Sequence, residues 1–218
     1  MSAGRQVARR WLPAGVRFAL SELRRELGLA RRHRASARRL RAAPPASPVR
    51  LNLGSGEAPR AGWVNIDSDP GAPCCLDLRE PLPFADQVVE EVAAEHVIEH
   101  LEYPGEALHL LREVQRVLRP GGRLIVAVPD TAWPIAEPDA WLAAAVTNPY
   151  KPDWCRTWVD HLNWHFRQGR EHRYAYDFET LAALLARAGF DKVEQAAAPV
   201  DAEVPPWRHG TLYVEAWA

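Results

Sequence analysis

Residues 51–67 read Leu51-Asn52-Leu53-Gly54-Ser55-Gly56-Glu57-Ala58-Pro59-Arg60-Ala61-Gly62-Trp63-Val64-Asn65-Ile66-Asp67. The apolar residues Val49–Leu53 predict a strand that runs straight into a loop with glycine at 54 and 56. Glycine there lets the backbone take a positive φ and approach a ligand closely. A second strand, Trp63–Ile66, ends on the carboxylate of Asp67. Only Glu57–Gly62 lie between, too few for the helix that a parallel crossover normally carries, since such connections run to about a dozen residues. Ligand contacts from this loop therefore come from backbone amides in a turn more than from a helix terminus.

The chain on the C-terminal side keeps the same rhythm. Cys74–Leu76 predicts a third strand ending at Asp77, and Val88–Ala94 a fourth. In Glu106–Leu118 the apolar residues Leu110, Leu111, Val114, Val117 and Leu118 fall on one helical face. Arg119-Pro120-Gly121-Gly122 should end that helix, glycine supplying a left-handed cap. Leu124–Val128 is a fifth strand, Phe178–Ala188 a helix closed by Gly189, and Lys192–Ala196 with Thr211–Ala216 an antiparallel pair. Strands alternating with helices imply an α/β fold, a mostly parallel sheet covered on both faces, with ligands at the carboxyl ends of the strands. A nicotinamide dinucleotide site fits poorly. The third glycine of its fingerprint falls on Pro59, and Asp67 arrives sooner than the roughly 20 residues that fingerprint requires.

The segments LNLGSGEAPRAGWVNID, DLREPLPFAD, AEHVIEHL, EVQRVLRPGGRLIVAVPD and HRYAYDFETLAALLARAGF span about residues 50–190. In that order the chain resembles the class I S-adenosylmethionine-dependent methyltransferases. More narrowly, it resembles small predicted methyltransferases associated with polysaccharide synthesis. The resemblance implies a Rossmann-like seven-stranded sheet with an antiparallel last strand, S-adenosylmethionine as cofactor, and O-methylation of a glycan or small-molecule acceptor. It implies cofactor contacts from Asn52, Gly54, Ser55, Gly56, Asp67, Asp77, Leu78 and Glu95. Asp67 would accept from ribose hydroxyls and Asp77 from the adenine amino group. One departure stands out: the family places an acidic residue two positions before the first glycine, where this chain has Asn52. A non-catalytic binding or scaffold protein with a degenerate cofactor site is the alternative.

Methyl transfer to a hydroxyl requires alignment and benefits from a general base, often histidine. The best placed are His96 and His100, just past the fourth strand, and His161, His165 and His172 in the stretch after the fifth, with His96 first and His161 and His172 second. If a helix starts at His96, then His96, Glu99 and His100 share a face by their i, i+3, i+4 spacing. A divalent ion is one use of such a trio. The weight goes instead to Glu99 and His100 tying the loop to the neighbouring helix, and no metal is assigned. Residues 131–173 hold Trp133, Trp141, Trp154, Trp158, Trp164 and Tyr150. They form either a lid over the acceptor or the packing of an insertion onto the domain.

Residues 1–48 form a basic extension with twelve Arg and two Glu, although the whole chain has a net charge of −1. Residues 14–42 predict a helix in which Val16, Leu20, Leu23 and Leu27 make an apolar stripe, with Arg17, Arg24, Arg25, Arg31 and Arg32 largely off it. The Pro-rich stretch 44–48 divides this extension from the methyltransferase domain, 49–218. The stripe suits an anionic membrane surface, or else packs on the domain or on a second subunit. Nucleic acid is not favoured, since only Trp11 and Phe18 interleave with the arginines. Cys74, Cys75 and Cys155 have neither disulfide-framework nor zinc-finger spacing. Without an apolar signal core or membrane span, a cytoplasmic protein, peripheral at the membrane through residues 14–42, is expected.

Overall fold

The computed structural model describes residues 12–197 and 210–218; the first eleven residues of the basic extension, Trp11 among them, lie outside it. The seven strands are β1 (Val49–Leu53), β2 (Val64–Asp67), β3 (Cys74–Cys75), β4 (Val89–Glu95), β5 (Leu118–Pro129), β6 (Lys192–Ala196) and β7 (Thr211–Trp217). They form one sheet in the order β3-β2-β1-β4-β5-β7-β6. β1 to β5 pair in parallel, and β7 runs antiparallel to both of its neighbours. The expected Rossmann-like methyltransferase sheet, antiparallel at its last strand, is therefore present. Leu51, Leu53, Ile66, Val92, Leu124, Val126 and Val214 are fully buried in the core. Burying a side chain of this size contributes about 1.5–3 kcal/mol.

The helices are α1 (Ala14–Ala42), α2 (Gly105–Val117), α3 (Trp133–Ala136), α4 (Pro138–Val146), α5 (Trp158–Arg167) and α6 (Phe178–Ala188). Strict alternation fails on one half of the sheet. α2 and α6 pack on each other beside β5, β6 and β7. The connections β1–β2, β2–β3 and β3–β4 carry no helix, because each is a short turn-rich loop. α1 takes a place there instead. It leans on β3, Ala37 is part of the main core cluster, and the His33 imidazole accepts from the Asp77 backbone N–H at 3.1 Å.

The face of α1 that packs carries Leu29, Ser36 and Ala37, whereas Val16, Leu20, Leu23 and Leu27 are exposed. Packing of that stripe on the domain, one of the expected uses, does not occur. The expected glycine cap of α2 is also corrected. Leu118 is already extended, with φ −66° and ψ 135°. Arg119–Gly122 is an irregularity inside β5, between Leu118 opposite Val89 and Arg123 opposite Glu91. Gly121, at φ +73°, turns the chain there and donates its N–H to the Ala218 carbonyl at 2.7 Å. α6 matches expectation: Gly189 closes it at φ +107°, and the Asp177 carboxylate caps its start by accepting from the Thr180 N–H.

Candidate functional site

At the carboxyl edge of the sheet, the loop after β1 turns through Gly54 at φ +64° and Gly56 at φ +46°. A Cβ on Gly54 would overlap the Cγ2 methyl of Val97. Its absence allows the loop to lie against the segment that leaves β4. Gly56 donates its N–H to Asp67 Oδ2 at 2.8 Å, and Asp67 Oδ1 accepts from the Asp69 N–H at 2.9 Å. Asp67 thus ties the end of β2 to the glycine turn. An ionised carboxylate has about four acceptor sites, so this pairing leaves two.

Asn52 is buried and donates to Asn65 Oδ1 at 2.9 Å and to the Ala58 carbonyl at 3.4 Å. Asn65 in turn donates to the Arg60 and Trp63 carbonyls and accepts the Arg60 N–H. Two amide side chains therefore hold Glu57–Gly62 in place, where a longer connection would have a helix. This accounts for the departure from the family pattern: position 52 must donate here, and a carboxylate cannot.

Above this edge lies a cavity of about 700 Å³. It brings together Asn52, Gly54, Ser55, Gly56 and Glu95 from the expected cofactor set, and His96, His100, His161 and His172 from the expected catalytic set. Asp67, Asp77 and Leu78 do not line it. Both oxygens of Asp77 accept from Arg79, which also pairs with Glu26 of α1. Burial alone would raise the Asp77 carboxyl, but the Arg79 hydrogen bonds and charge outweigh it and hold the group below its usual range. Leu78 packs against the core.

His96 follows β4 directly at φ +54°, a left-handed conformation uncommon for a side-chain-bearing residue. The helix expected to start here is therefore absent; Ile98–His100 form a single 3-10 turn. The i, i+3 contact survives the change. His96 Nδ1 lies 3.1 Å from Glu99 Oε1, and Glu99 is only 1% exposed. With the carboxylate as acceptor, Nδ1 carries the proton and Nε2 the lone pair. Nε2 stands 3.4 Å from Thr211 Oγ1 of β7. His100 Nδ1 lies 3.2 Å from the Glu171 carbonyl, so His100 ties the turn to the 171–174 segment and not to a helix. In the same segment, the Arg173 and Tyr174 N–H groups donate to the Glu99 carbonyl.

Three further imidazoles lie on the wall formed by 131–173. Burial lowers His172 to about 4, despite the nearby Glu99 carboxylate, so it is neutral near pH 7. Burial also lowers His165, whose Nε2 lies 3.1 Å from the Asp130 carbonyl, and His161. The tryptophans divide between the two expected uses. Trp141 is buried edge-on to Trp158 and His165, yet it still lines the cavity, as does Trp164. Trp133 fills the space where a Cβ on Gly210 would sit. Trp154 and Tyr150 are exposed.

The cavity also contains His165, another of the expected histidines, together with Arg60, Gln168 and Thr211, which the sequence did not single out. Arg60 pairs with Glu95 and lies over the Trp63 ring, 5.0 Å from its centroid. Its position in the short β1–β2 loop was the available signal. Thr211 reaches the site only through the pairing of β7 with β5, which sets it opposite Pro129.

The family model described as "Methyltransferase domain" matches residues 79–195. Among curated proteins, none matches the sequence. Among solved structures, a SAM-dependent methyltransferase from Archaeoglobus fulgidus is similar at 15% identity and a TM-score of 0.50, covering 86% of this chain and 94% of that one. An S-adenosylmethionine-dependent methyltransferase from Mesorhizobium loti is similar at 17% identity and a TM-score of 0.46, covering 82% and 95%. The likeness to the Archaeoglobus fulgidus structure, at this level of identity, speaks for the fold alone. The family match takes in more than half of the chain, from the loop after β3 into β6, and includes the turn that carries His96 and Glu99. The chain belongs to this methyltransferase family.

Proposed function

We propose that the chain methylates a hydroxyl oxygen of a small-molecule or glycan acceptor, with S-adenosylmethionine as donor. The observation that carries this reading is the His96 imidazole, oriented by the buried Glu99 and facing the cavity that the glycine loop borders. The residues present suit the donor. The loop at Gly54–Gly56 leaves room for close backbone approach. Asp67, outside the cavity lining but hydrogen-bonded to Gly56 at its border, retains acceptor sites for a diol. The Arg60 guanidinium, paired with Glu95 on the cavity wall, has further N–H groups to offer a carboxylate. Bound there, the sulfonium supplies a methyl carbon already activated for in-line displacement.

Glu99 Oε1 accepts the His96 Nδ1 proton, so Nε2, which faces Thr211 Oγ1, is the nitrogen that takes the proton of the acceptor hydroxyl. His165 and His172, both held neutral by burial, and the rings of Trp141 and Trp164 give the 131–173 side of the cavity an uncharged surface. Calorimetry on cofactor-free protein should give heat with S-adenosylmethionine and with its demethylated product. Absence of heat with both at millimolar concentration overturns the reading. With an acceptor identified by label transfer to extracted small molecules and glycans, His96→Ala should lower turnover by about 10²–10⁴-fold and leave donor binding intact.

We propose in addition that residues 14–42 meet an anionic membrane surface. The support is the exposure of Val16, Leu20, Leu23 and Leu27, with Arg17, Arg24 and Arg31 at seven-residue intervals along one shoulder of the stripe. Each basic residue near such a surface contributes about 1 kcal/mol.

A further inference from the structure

We propose that Glu99, His100 and His172 bind one divalent transition-metal ion at the acceptor side of the cavity. The three residues offer ligand atoms that all lie within 4.8 Å of one another. Small rotations of two imidazoles close that spread around an ion bound at about 2.0–2.2 Å.

Two independent features point to a missing ligand at this point. The first is Glu99. Its side chain is 1% exposed, Oε1 is engaged by His96, and Oε2 has no hydrogen-bond partner. No Arg or Lys among the described residues forms an ion pair with it. A buried carboxylate oxygen without a partner is costly, and buried charges are normally paired or coordinate a metal.

The second is the orientation of His100. Nδ1 can only donate to the Glu171 carbonyl, which leaves the Nε2 lone pair as the available ligand. A metal-binding imidazole characteristically gives its other N–H to a carbonyl or carboxylate in this way. The His172 ring stands edge-on to that of His100, with centroids 4.9 Å apart. The two backbone hydrogen bonds from Arg173 and Tyr174 to the Glu99 carbonyl, at 2.7 and 3.3 Å, pin the segment that carries His172 to the turn that carries Glu99 and His100. The ligand set is therefore assembled without the ion.

Two imidazoles and one carboxylate suit Zn²⁺, Mn²⁺, Fe²⁺ or Co²⁺ better than Ca²⁺ or Mg²⁺, which prefer all-oxygen sites. Because His100 and His172 line the cavity that His96 also lines, an ion held by them would be reachable from the acceptor side. Bound there, the ion would act as a Lewis acid on an acceptor oxygen and favour its ionised form. That use of the ion rests on the methyltransferase reading; its binding rests only on the three ligands.

The test uses full-length protein freed of metal with a chelator and titrated with Co²⁺, followed by its visible d–d absorption and by calorimetry. One ion per chain with a saturating absorption band is expected. His172→Ala and Glu99→Gln should each weaken binding by at least about tenfold, since even partners behind the ligands are worth that much. His100→Ala serves if Glu99→Gln does not fold by circular dichroism. No band at millimolar Co²⁺, or the same stoichiometry and affinity in the folded variants, overturns the proposal. The demethylated cofactor product is titrated into the same samples: heat from it without metal binding sinks the metal site alone, whereas metal binding without that heat sinks the methyltransferase reading alone.

Discussion

Replacing Gly54 by alanine tests the glycine turn through two separable effects. The first is conformational. Gly54 sits at φ +64°, and an L-residue held in the left-handed region costs about 1–2 kcal/mol. The second is steric. The added Cβ would overlap Val97 Cγ2, and Val97 is buried and cannot swing into solvent. Forcing an extra carbon into a packed site costs about 1–3 kcal/mol. Gly54→Ala should therefore lose about 2–5 kcal/mol of stability, the sum of these two ranges.

Gly56→Ala is the internal control. Gly56 also has positive φ, at +46°, but nothing lies within 4 Å of its added Cβ. Only the conformational cost should appear there. Val97→Ala alone loses packing, about 1–3 kcal/mol, yet it removes the methyl that Gly54→Ala strikes. The double variant should thus be less destabilised than the sum of the singles, by a coupling of about 1–3 kcal/mol. Urea unfolding of the wild type, both Gly54 and Val97 singles, the double and Gly56→Ala measures all of these quantities. Additivity of the Gly54 and Val97 changes within about 0.5 kcal/mol would show that the loop does not lie against Val97, and the placing of the cavity beside it would fail too.

Asn52→Asp, although it restores the residue more usual in the family, should destabilise the protein by about 1.5–3 kcal/mol, because the new carboxylate faces the Asn65 Oδ1 and Ala58 carbonyl acceptors; equal or greater urea stability refutes the donor role. Asp177→Ala should cost about 1 kcal/mol at neutral pH by removing the α6 cap. Hydrogen bonds from Thr180 hold the Asp177 carboxyl below its usual range, so its contribution is present above about pH 4 and fades as pH falls through the lowered value; a deficit that persists unchanged to about pH 3 argues against a carboxylate cap. Wild-type protein should sediment with anionic vesicles at low salt, and Leu20→Asp with Leu23→Asp should release it, both side chains being exposed; wild type that stays in the supernatant ends the membrane proposal.

What the sequence disclosed, and what it did not, follows the range of the forces involved. The Gly54–Gly56 turn and the His96–Glu99 contact depend on residues a few positions apart, so spacing alone made them legible. The contact even survived an error in the element that carries it. It needs only three intervening steps along the chain, and a single 3-10 turn provides them as well as an α-helix would. Asp77 shows the opposite case. Its place after β3 suggested a ligand, but Arg79, two residues on, can fold back onto the same carboxylate, and position alone does not say which partner wins. α1 misled for a reason of size. Periodicity follows large apolar side chains and found Val16, Leu20, Leu23 and Leu27, whereas the helix packs through Leu29, Ser36 and Ala37. Small residues are what allow a helix backbone to approach β3 closely, and in an Arg-rich stretch they leave no hydrophobic signal. Thr211, His165 and His172 meet His96 only because β7 pairs back onto β5 and the 131–173 stretch folds over the sheet edge. The same assembly isolates Glu99 Oε2 from water. The unsatisfied oxygen on which the metal proposal turns is therefore a property of the packed chain, with no trace in the spacing His96, Glu99, His100 that first drew attention to it.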